Sequence, residues 1–178
     1  MSRFLLKRLG LALTTLSLLS IIVFAISTVA ILALAVFLYV LLGGYDLGLG
    51  VLFPIAPTHQ DRDAMMASAA PFWDGNETWL VLGGGGLLAA FPLAYSVMLP
   101  ALYLPIIVML IGLILRGVAF EFRFKSSAYR WTWDLAFAGG SIVAALMQGL
   151  IIGAFVQGFK VVDNKYAGGA FDWLTPFS

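Results

Sequence analysis

The chain has 178 residues, 62% of them hydrophobic and only 11% charged, with a mean hydropathy of +1.01. Its charges gather between long apolar runs, which is the composition of an integral membrane protein and excludes an ordinary soluble domain. A net charge of +1 without a basic stripe argues against nucleic acid, and the lack of cysteine removes disulfides, iron–sulfur clusters and thiolate-held zinc or haem.

Residues 1–9 are short and basic, with Arg3, Lys7 and Arg8, and open an apolar run at 11–42 that has no proline, glycine or charge. At about 1.5 Å per residue the run makes a helix of roughly 50 Å, well beyond a hydrocarbon core of about 30 Å. The length predicts one long tilted helix or two segments broken near Ser27-Thr28; a cleavable signal peptide fits poorly, because no small-residue cleavage motif follows. Glycines and an acid in Gly43-Gly44-Tyr45-Asp46-Leu47-Gly48-Leu49-Gly50 are expected to end the run. Residues 54–63 read as a polar loop, with Asp63 as the N-cap of a helix over 64–90 kinked or interrupted at Pro71. That reading places Asp74 several turns inside the helix. A turn at 92–100, a span at 101–115 and a charged loop at 116–134 follow. A further span at 135–158 is rich in small residues, as tight helix packing in lipid favours, and 160–178 form a polar-aromatic tail. The fold class is therefore all-α and membrane-integral, with four to five transmembrane helices.

Lys and Arg set the orientation. Arg116, Arg123, Lys125 and Arg130 put the 116–134 loop in the cytoplasm, and the His59–Asp63 stretch, two crossings earlier, lies there too. A single N-terminal span would leave Arg3, Lys7 and Arg8 outside, against the rule, whereas a break near Ser27-Thr28 restores it.

The most informative segment is Pro71-Phe72-Trp73-Asp74-Gly75-Asn76-Glu77-Thr78-Trp79-Leu80. Ionisable groups in apolar membrane segments are expensive and usually mark a proton, ion or substrate route. Asp74 and Glu77, three apart, share a helix face and perturb each other's protonation. The plainer alternative is a helix-start acid bonded to neighbouring amides such as that of Asn76. Asp46 either continues the same route or caps a helix in a Gly-rich turn. Arg116, Glu121 and Arg123 either bind a haem propionate or an anionic lipid head group, or are topology anchors, with Glu121 and Lys125 an i,i+4 pair. The 83–86 glycine run has no following Lys-Ser/Thr and reads as close helix contact, not as a phosphate loop. Trp73 and the other tryptophans flank the spans as interfacial anchors. His59, the only histidine, cannot alone hold a bis-His haem.

From about residue 31 to 178, Gly44-Tyr45-Asp46-Leu47-Gly48, Asp61-Arg62-Asp63, the 71–84 block and Ala90-Phe91-Pro92-Leu93-Ala94-Tyr95 occur in an order that has a close counterpart. With Leu113-Ile114-Leu115-Arg116-Gly117-Val118-Ala119-Phe120-Glu121-Phe122-Arg123 and Tyr166-Ala167-Gly168-Gly169, they resemble subunit II of the cytochrome bd-type quinol oxidases, particularly the cyanide-insensitive branch. The resemblance implies a partner more than a solo activity. A haem-bearing subunit I would hold haem b, haem d and the quinol site, and this chain would support assembly and proton access while binding no haem alone. A structural quinone is a further ligand it suggests, alongside membrane lipid, and the bacterial inner membrane is the implied location. Asp74 corresponds to the family's candidate for the cytoplasmic proton route, with Glu77 and Asp46 as further members and Trp73, Asn76, Arg116, Glu121 and Arg123 as structural or interface residues.

Three departures qualify this. Gly43 stands where the family usually has an acid. Residues 1–27 do not resemble the family and are similar to the start of oligopeptide-type ABC transporter permeases, giving an expected division at 1–27 and 28–178. The family runs to roughly twice this length with a second four-helix bundle, so the chain is expected to hold the first bundle only. The rival readings are a transmembrane transporter component and a truncated, non-functional fragment.

Overall fold

The computed structural model describes residues 2–126 and 129–174, except for the side chains of Ser2, Arg3 and Leu5. The predicted Arg3 anchor and the end of the predicted tail lie outside the described residues.

Helix α1 (Ser2–Leu38) passes without a break through a π turn (Tyr39–Gly43) into α2 (Gly44–Leu52) and a 3-10 turn (Phe53–Ile55). Of the two alternatives for the run, one long helix holds and the break near Ser27-Thr28 is absent, but Gly43-Gly44 do not end it; the irregularity falls at the π turn instead. Polar residues near the N-terminus are tolerated because their hydroxyls bond back to carbonyls one turn earlier, as Thr15 does to Leu11 at 2.9 Å and Ser17 to Leu13 at 2.9 Å. Burial begins only at Thr28 and recurs at Leu32, Ala35, Tyr39, Gly43, Asp46 and Gly50, a single stripe at three- and four-residue spacing. The helix before Thr28 therefore extends away from the bundle, with its leucines exposed from Leu6 onward.

Helix α3 (His59–Ala69) is capped by Thr58, whose hydroxyl accepts the Asp61 N–H at 3.1 Å while the Asp61 carboxylate accepts the Thr58 N–H at 3.2 Å. Thr58, not Asp63, is the cap: the reciprocal box satisfies two otherwise open donors. Asp63 lies one turn in, free to pair elsewhere. The chain then turns at 70–72, so of the kink and the interruption foreseen at Pro71 the interruption holds, and α4 (Trp73–Ala90) begins anew at Trp73. Asp74 accordingly sits in the first turn of α4 and is exposed, not several turns inside.

Helix α5 (Pro92–Phe122) starts with proline at its first position and absorbs Pro100 and Pro105 without ending. The predicted turn at 92–100 is therefore helix, and Arg116 belongs to α5, not to a loop. After a short connection, α6 (Arg130–Gln157) runs back and stops at Gly158, whose φ of 80° only glycine adopts without strain. Among the described residues three helical stretches are long and apolar enough to cross a membrane: Leu6–Ile55, Pro92–Phe122 and Arg130–Gln157. This is fewer than the four to five predicted, because α4 has only 18 residues and opens with two acids.

Helices α5 and α6 cross on glycine. A Cβ on Gly112 would lie 2.7 Å from the Gly140 carbonyl oxygen, and one on Gly140 3.1 Å from the Arg116 nitrogen, so backbone meets backbone there. Of the 83–86 glycines of α4, Gly83 and Gly86 face α1, with Val36 and Leu32 their nearest side chains, so the predicted close contact holds for these two, while Gly84 and Gly85 look onto open space. At one end of the bundle Phe53, Met66, Phe120 and Phe137 form an aromatic-rich core. At the other, β1 (Val161–Val162) and β2 (Lys165–Tyr166) make a hairpin whose turn residues Asp163 and Asn164 both have positive φ, a type I′ signature. The hairpin folds over α5 and α6, with Tyr166 and Trp173 against Ala101, Leu102 and Ala154.

Candidate functional site: a buried layer of charge

The π turn and α2 aim Asp46 into the bundle, where its carboxylate is 2% exposed. Its Oδ2 accepts a hydrogen bond from Asn76 Nδ2 at 2.7 Å and faces Arg116 Nη2 at 3.6 Å. The same guanidinium, 1% exposed, donates from Nη1 to Glu77 Oε1 at 2.6 Å. Glu77 is 22% exposed, and Asp74, one turn earlier on α4, lies at the open side. Two carboxylates from two helices thus share one buried cation from a third. An isolated charge this far from water is prohibitively costly, so the pairing is what allows any of the three to be there.

Arg116 is fixed from its other side. Its guanidinium lies 5.3 Å from the Phe120 ring, Phe120 stacks on Trp73 at 5.2 Å, and Gly117 gives that indole room, its absent Cβ standing 3.1 Å from the ring. Trp73 is thus packed among helices and not merely interfacial. Arg116 is a buried ion-pair partner, and the anchor reading does not hold for it. Within this layer three buried side-chain atoms have no hydrogen-bond partner among the described residues: Asp46 Oδ1, Arg116 Nε and Arg116 Nη2.

A second network closes the end of the bundle nearer the α5–α6 connection. Arg123, 0% exposed, donates from Nη1 to Asp63 at 2.6 Å and from Nε to Asp134; Arg62 reaches Asp134 at 3.3 Å and Arg130 reaches Asp63 at 3.7 Å. This clamp ties α3 to α5 and α6, and brings the two loops predicted to share a side to the same end. The Arg123 hydrogen bond holds the Asp63 carboxyl below its ordinary value against partial desolvation, helped by the charge of Arg130. Glu121 is exposed and pairs with Lys125 along the helix, as its spacing predicts. His59 opens α3 on the surface.

Between α4 and α5 an apolar groove of about 350 Å³ is lined by Trp73, Leu80, Leu113, Ile114 and Gly117, with Glu77 the acid within it. Among the described residues no group of three or more His, Asp or Glu could hold a metal ion.

Of the residues singled out from sequence, Asp46, Asn76, Glu77 and Arg116 come together, Asp74 stands at their edge, Arg123 belongs to the clamp and Glu121 to the surface. Asp63, Asp134 and Arg62 were missed as partners of Arg123, and so was Tyr39, whose hydroxyl accepts from Gln148 Nε2 at 2.6 Å. The available signal for the last pair was a lone amide, Gln148, inside the apolar run of α6.

The fold and the site define a multi-pass, all-α membrane protein organised around buried ion pairs. The chain belongs to the family of cytochrome bd terminal oxidase subunit II, which it matches over residues 19–178. It is 37% identical over 142 residues to cytochrome bd-I ubiquinol oxidase subunit 2 of Escherichia coli K12, covering 75% of this chain and 38% of that protein. It is 35% identical over 141 residues to cytochrome bd ubiquinol oxidase subunit 2 of Bacillus subtilis, covering 77% and 42%. With a probable cytochrome oxidase subunit 2 of Haemophilus influenzae it shares 34% over 143 residues, 76% of this chain and 38% of the relative. The chain thus spans about two fifths of the length of these curated relatives. Nothing in these relationships favours the transporter reading raised by the first 27 residues.

Proposed function

We propose that this chain serves in a bd-type quinol oxidase of a bacterial inner membrane, as the first transmembrane bundle of its second subunit. There it supports assembly and gives protons access to a haem-bearing subunit I that oxidises quinol and reduces oxygen to water. The observation that carries this reading is the Asp46–Arg116–Glu77 layer inside an otherwise apolar bundle, in a family of oxidase subunits.

The chemistry follows from one cation shared by two carboxylates. Exposed Asp74 accepts a proton from water at the mouth, and Glu77 lies one turn further along the same face. A proton arriving on Glu77 neutralises that carboxylate and releases Arg116, which then keeps Asp46 as its counter-ion. Loss of the proton to the next acceptor restores the Glu77 pair. The guanidinium stays protonated throughout, so it stabilises either carboxylate without moving protons itself.

The donor set does not fit haem within this chain: the only imidazole is on the surface and no thiolate exists, so haem b and haem d belong to the partner in this reading. In this reading the α4–α5 groove would take a quinone head group, with Trp73 and Leu113 as apolar walls and Glu77 as the polar contact.

Co-expression with a subunit I of a bd-type oxidase and mild solubilisation tests the proposal. Haem b and d bands in co-purified material that depend on this chain are expected, and Asp74→Asn or Glu77→Gln should lower quinol oxidase turnover without removing haem. Full turnover in both assembled variants would sink the proton-route reading.

A further inference from the structure

Beyond the Asp46–Arg116–Glu77 layer, one more polar pair sits within the apolar bundle. Tyr39 is 8% exposed and lies seven residues, about two turns or 10 Å, before Asp46 on the same buried stripe. It occupies the first position of the π turn, where the helix takes in an extra residue, a distortion that helices adopt frequently at functional positions. Its ring lies over Gly43: a Cβ there would stand 3.3 Å from Tyr39 Cε2, so glycine makes the room for the phenol.

The phenolic oxygen accepts a hydrogen bond from Gln148 at 2.6 Å and donates to no group among the described residues. The charged groups that act on it are Glu77, on α4, and Arg116, on α5. Its hydroxyl hydrogen is therefore one more unmet donor beside the orphaned Asp46 Oδ1, Arg116 Nε and Arg116 Nη2. Buried polar groups in a membrane interior are rarely left unsatisfied, and these three donors and one acceptor, spread over about 10 Å, are what a short file of internal waters rather than a single one would satisfy. Gln148 is only half-buried, so the chain of polar groups reaches the outer surface of α6.

We propose that Tyr39, held by Gln148, is a further proton-relay residue, linked through internal water to the Asp46–Arg116–Glu77 layer and leading from it toward the outer face of α6. One proton arrives on the phenolic oxygen from internal water on the side of the layer as the hydroxyl proton leaves to a water molecule at the outer face of α6, so the phenol stays neutral. Gln148 carries no proton in transit; it is a positioning residue that keeps the phenol in line. The inference rests on the proton-access reading above and extends it to two residues outside the carboxylate motif.

The test is Tyr39→Phe in the assembled complex with subunit I, because it removes one oxygen and keeps the ring that fills the π turn. Turnover should fall about tenfold or more at unchanged haem spectrum, with a larger solvent deuterium isotope effect. Gln148→Leu should change both in the same direction. Tyr45→Phe, which removes an exposed hydroxyl bonded to Ser68, should change neither. If Glu77→Gln slows the enzyme while Tyr39→Phe leaves rate and isotope effect untouched, the relay is wrong and the carboxylate route stands. If neither variant slows it, both fail. An independent reading comes from infrared spectra of the purified chain in H₂O and D₂O. A carboxyl stretch of Asp46 or Glu77 that shifts in Tyr39→Phe supports the link, and identical spectra overturn it.

Discussion

Replacing Arg116 by methionine strikes at the one cation that holds two carboxylates inside the bundle. The side chain is 1% exposed, 2.6 Å from Glu77 and 3.6 Å from Asp46, so its removal leaves both acids without a counter-charge where water does not reach freely. Removing one partner of a buried pair typically costs about 3–5 kcal/mol, most of it the uncompensated charge left behind. For a domain of this size, where 1 kcal/mol moves Tm by roughly 2–4 °C, the expected fall is about 6–20 °C. Thermal unfolding of the detergent-solubilised chain, followed by circular dichroism, reads it. Adding Glu77→Gln to Arg116→Met removes one orphaned charge and should return part of the loss, a coupling of about 0.5–3 kcal/mol. Arg116→Lys keeps the charge but loses the fork that reaches both acids, and should fall between. A Tm for Arg116→Met no lower than that of Lys125→Met, an exposed-pair control, would refute the buried-layer argument.

The remaining predictions concern the scaffold around that layer. Asp63 is held below its ordinary carboxylate value by Arg123, so its contribution is present above about pH 4 and lost as pH falls through the lowered folded value. The Tm difference between wild type and Asp63→Asn should accordingly shrink between pH 5 and pH 3, each taken as an approximate bound. Gly140→Val places carbon against the Gly112 carbonyl and the Arg116 backbone, neither of which can turn aside. A loss of about 1–3 kcal/mol or more is expected in the same unfolding assay, with looser α5–α6 packing seen as faster amide exchange around Arg116. Thr58→Ala opens the capping box of α3 and should cost about 1 kcal/mol, with fraying confined to residues 59–62 by hydrogen exchange.

What the sequence by itself determined was composition-level and local. The apolar runs required membrane helices, because a chain this poor in charge has no other way to satisfy its backbone. The Trp-Asp-Gly-Asn-Glu block and the Arg-Gly-Val-Ala-Phe-Glu-Phe-Arg block identified the family, and the Glu121–Lys125 spacing sufficed for their surface pair. Helix continuity was harder to read. Gly43-Gly44 and Pro100 punctuate a soluble helix, yet here α1–α2 and α5 run through them, since a lipid-embedded chain has nothing to gain from breaking its own hydrogen bonds. At Pro71 the sequence left a kink and an interruption open; an exposed turn was available and two helices formed. That shift of a few residues moved Asp74 from the interior to the mouth.

The buried layer itself was decided only in three dimensions. Arg116 follows Glu77 by 39 residues and Asp46 by 70, separations at which nothing local names the partners, whereas Arg130 stays half-exposed and pairs with Asp63. It is buried because Gly112 and Gly140 let α5 and α6 approach to backbone contact and carry its side chain into the bundle. Tyr39 meets Gln148 for the same kind of reason: the π turn rotates it onto the stripe that faces α6. Sequence supplied the charges; helix crossing and register chose which of them lost their water and therefore had to find one another.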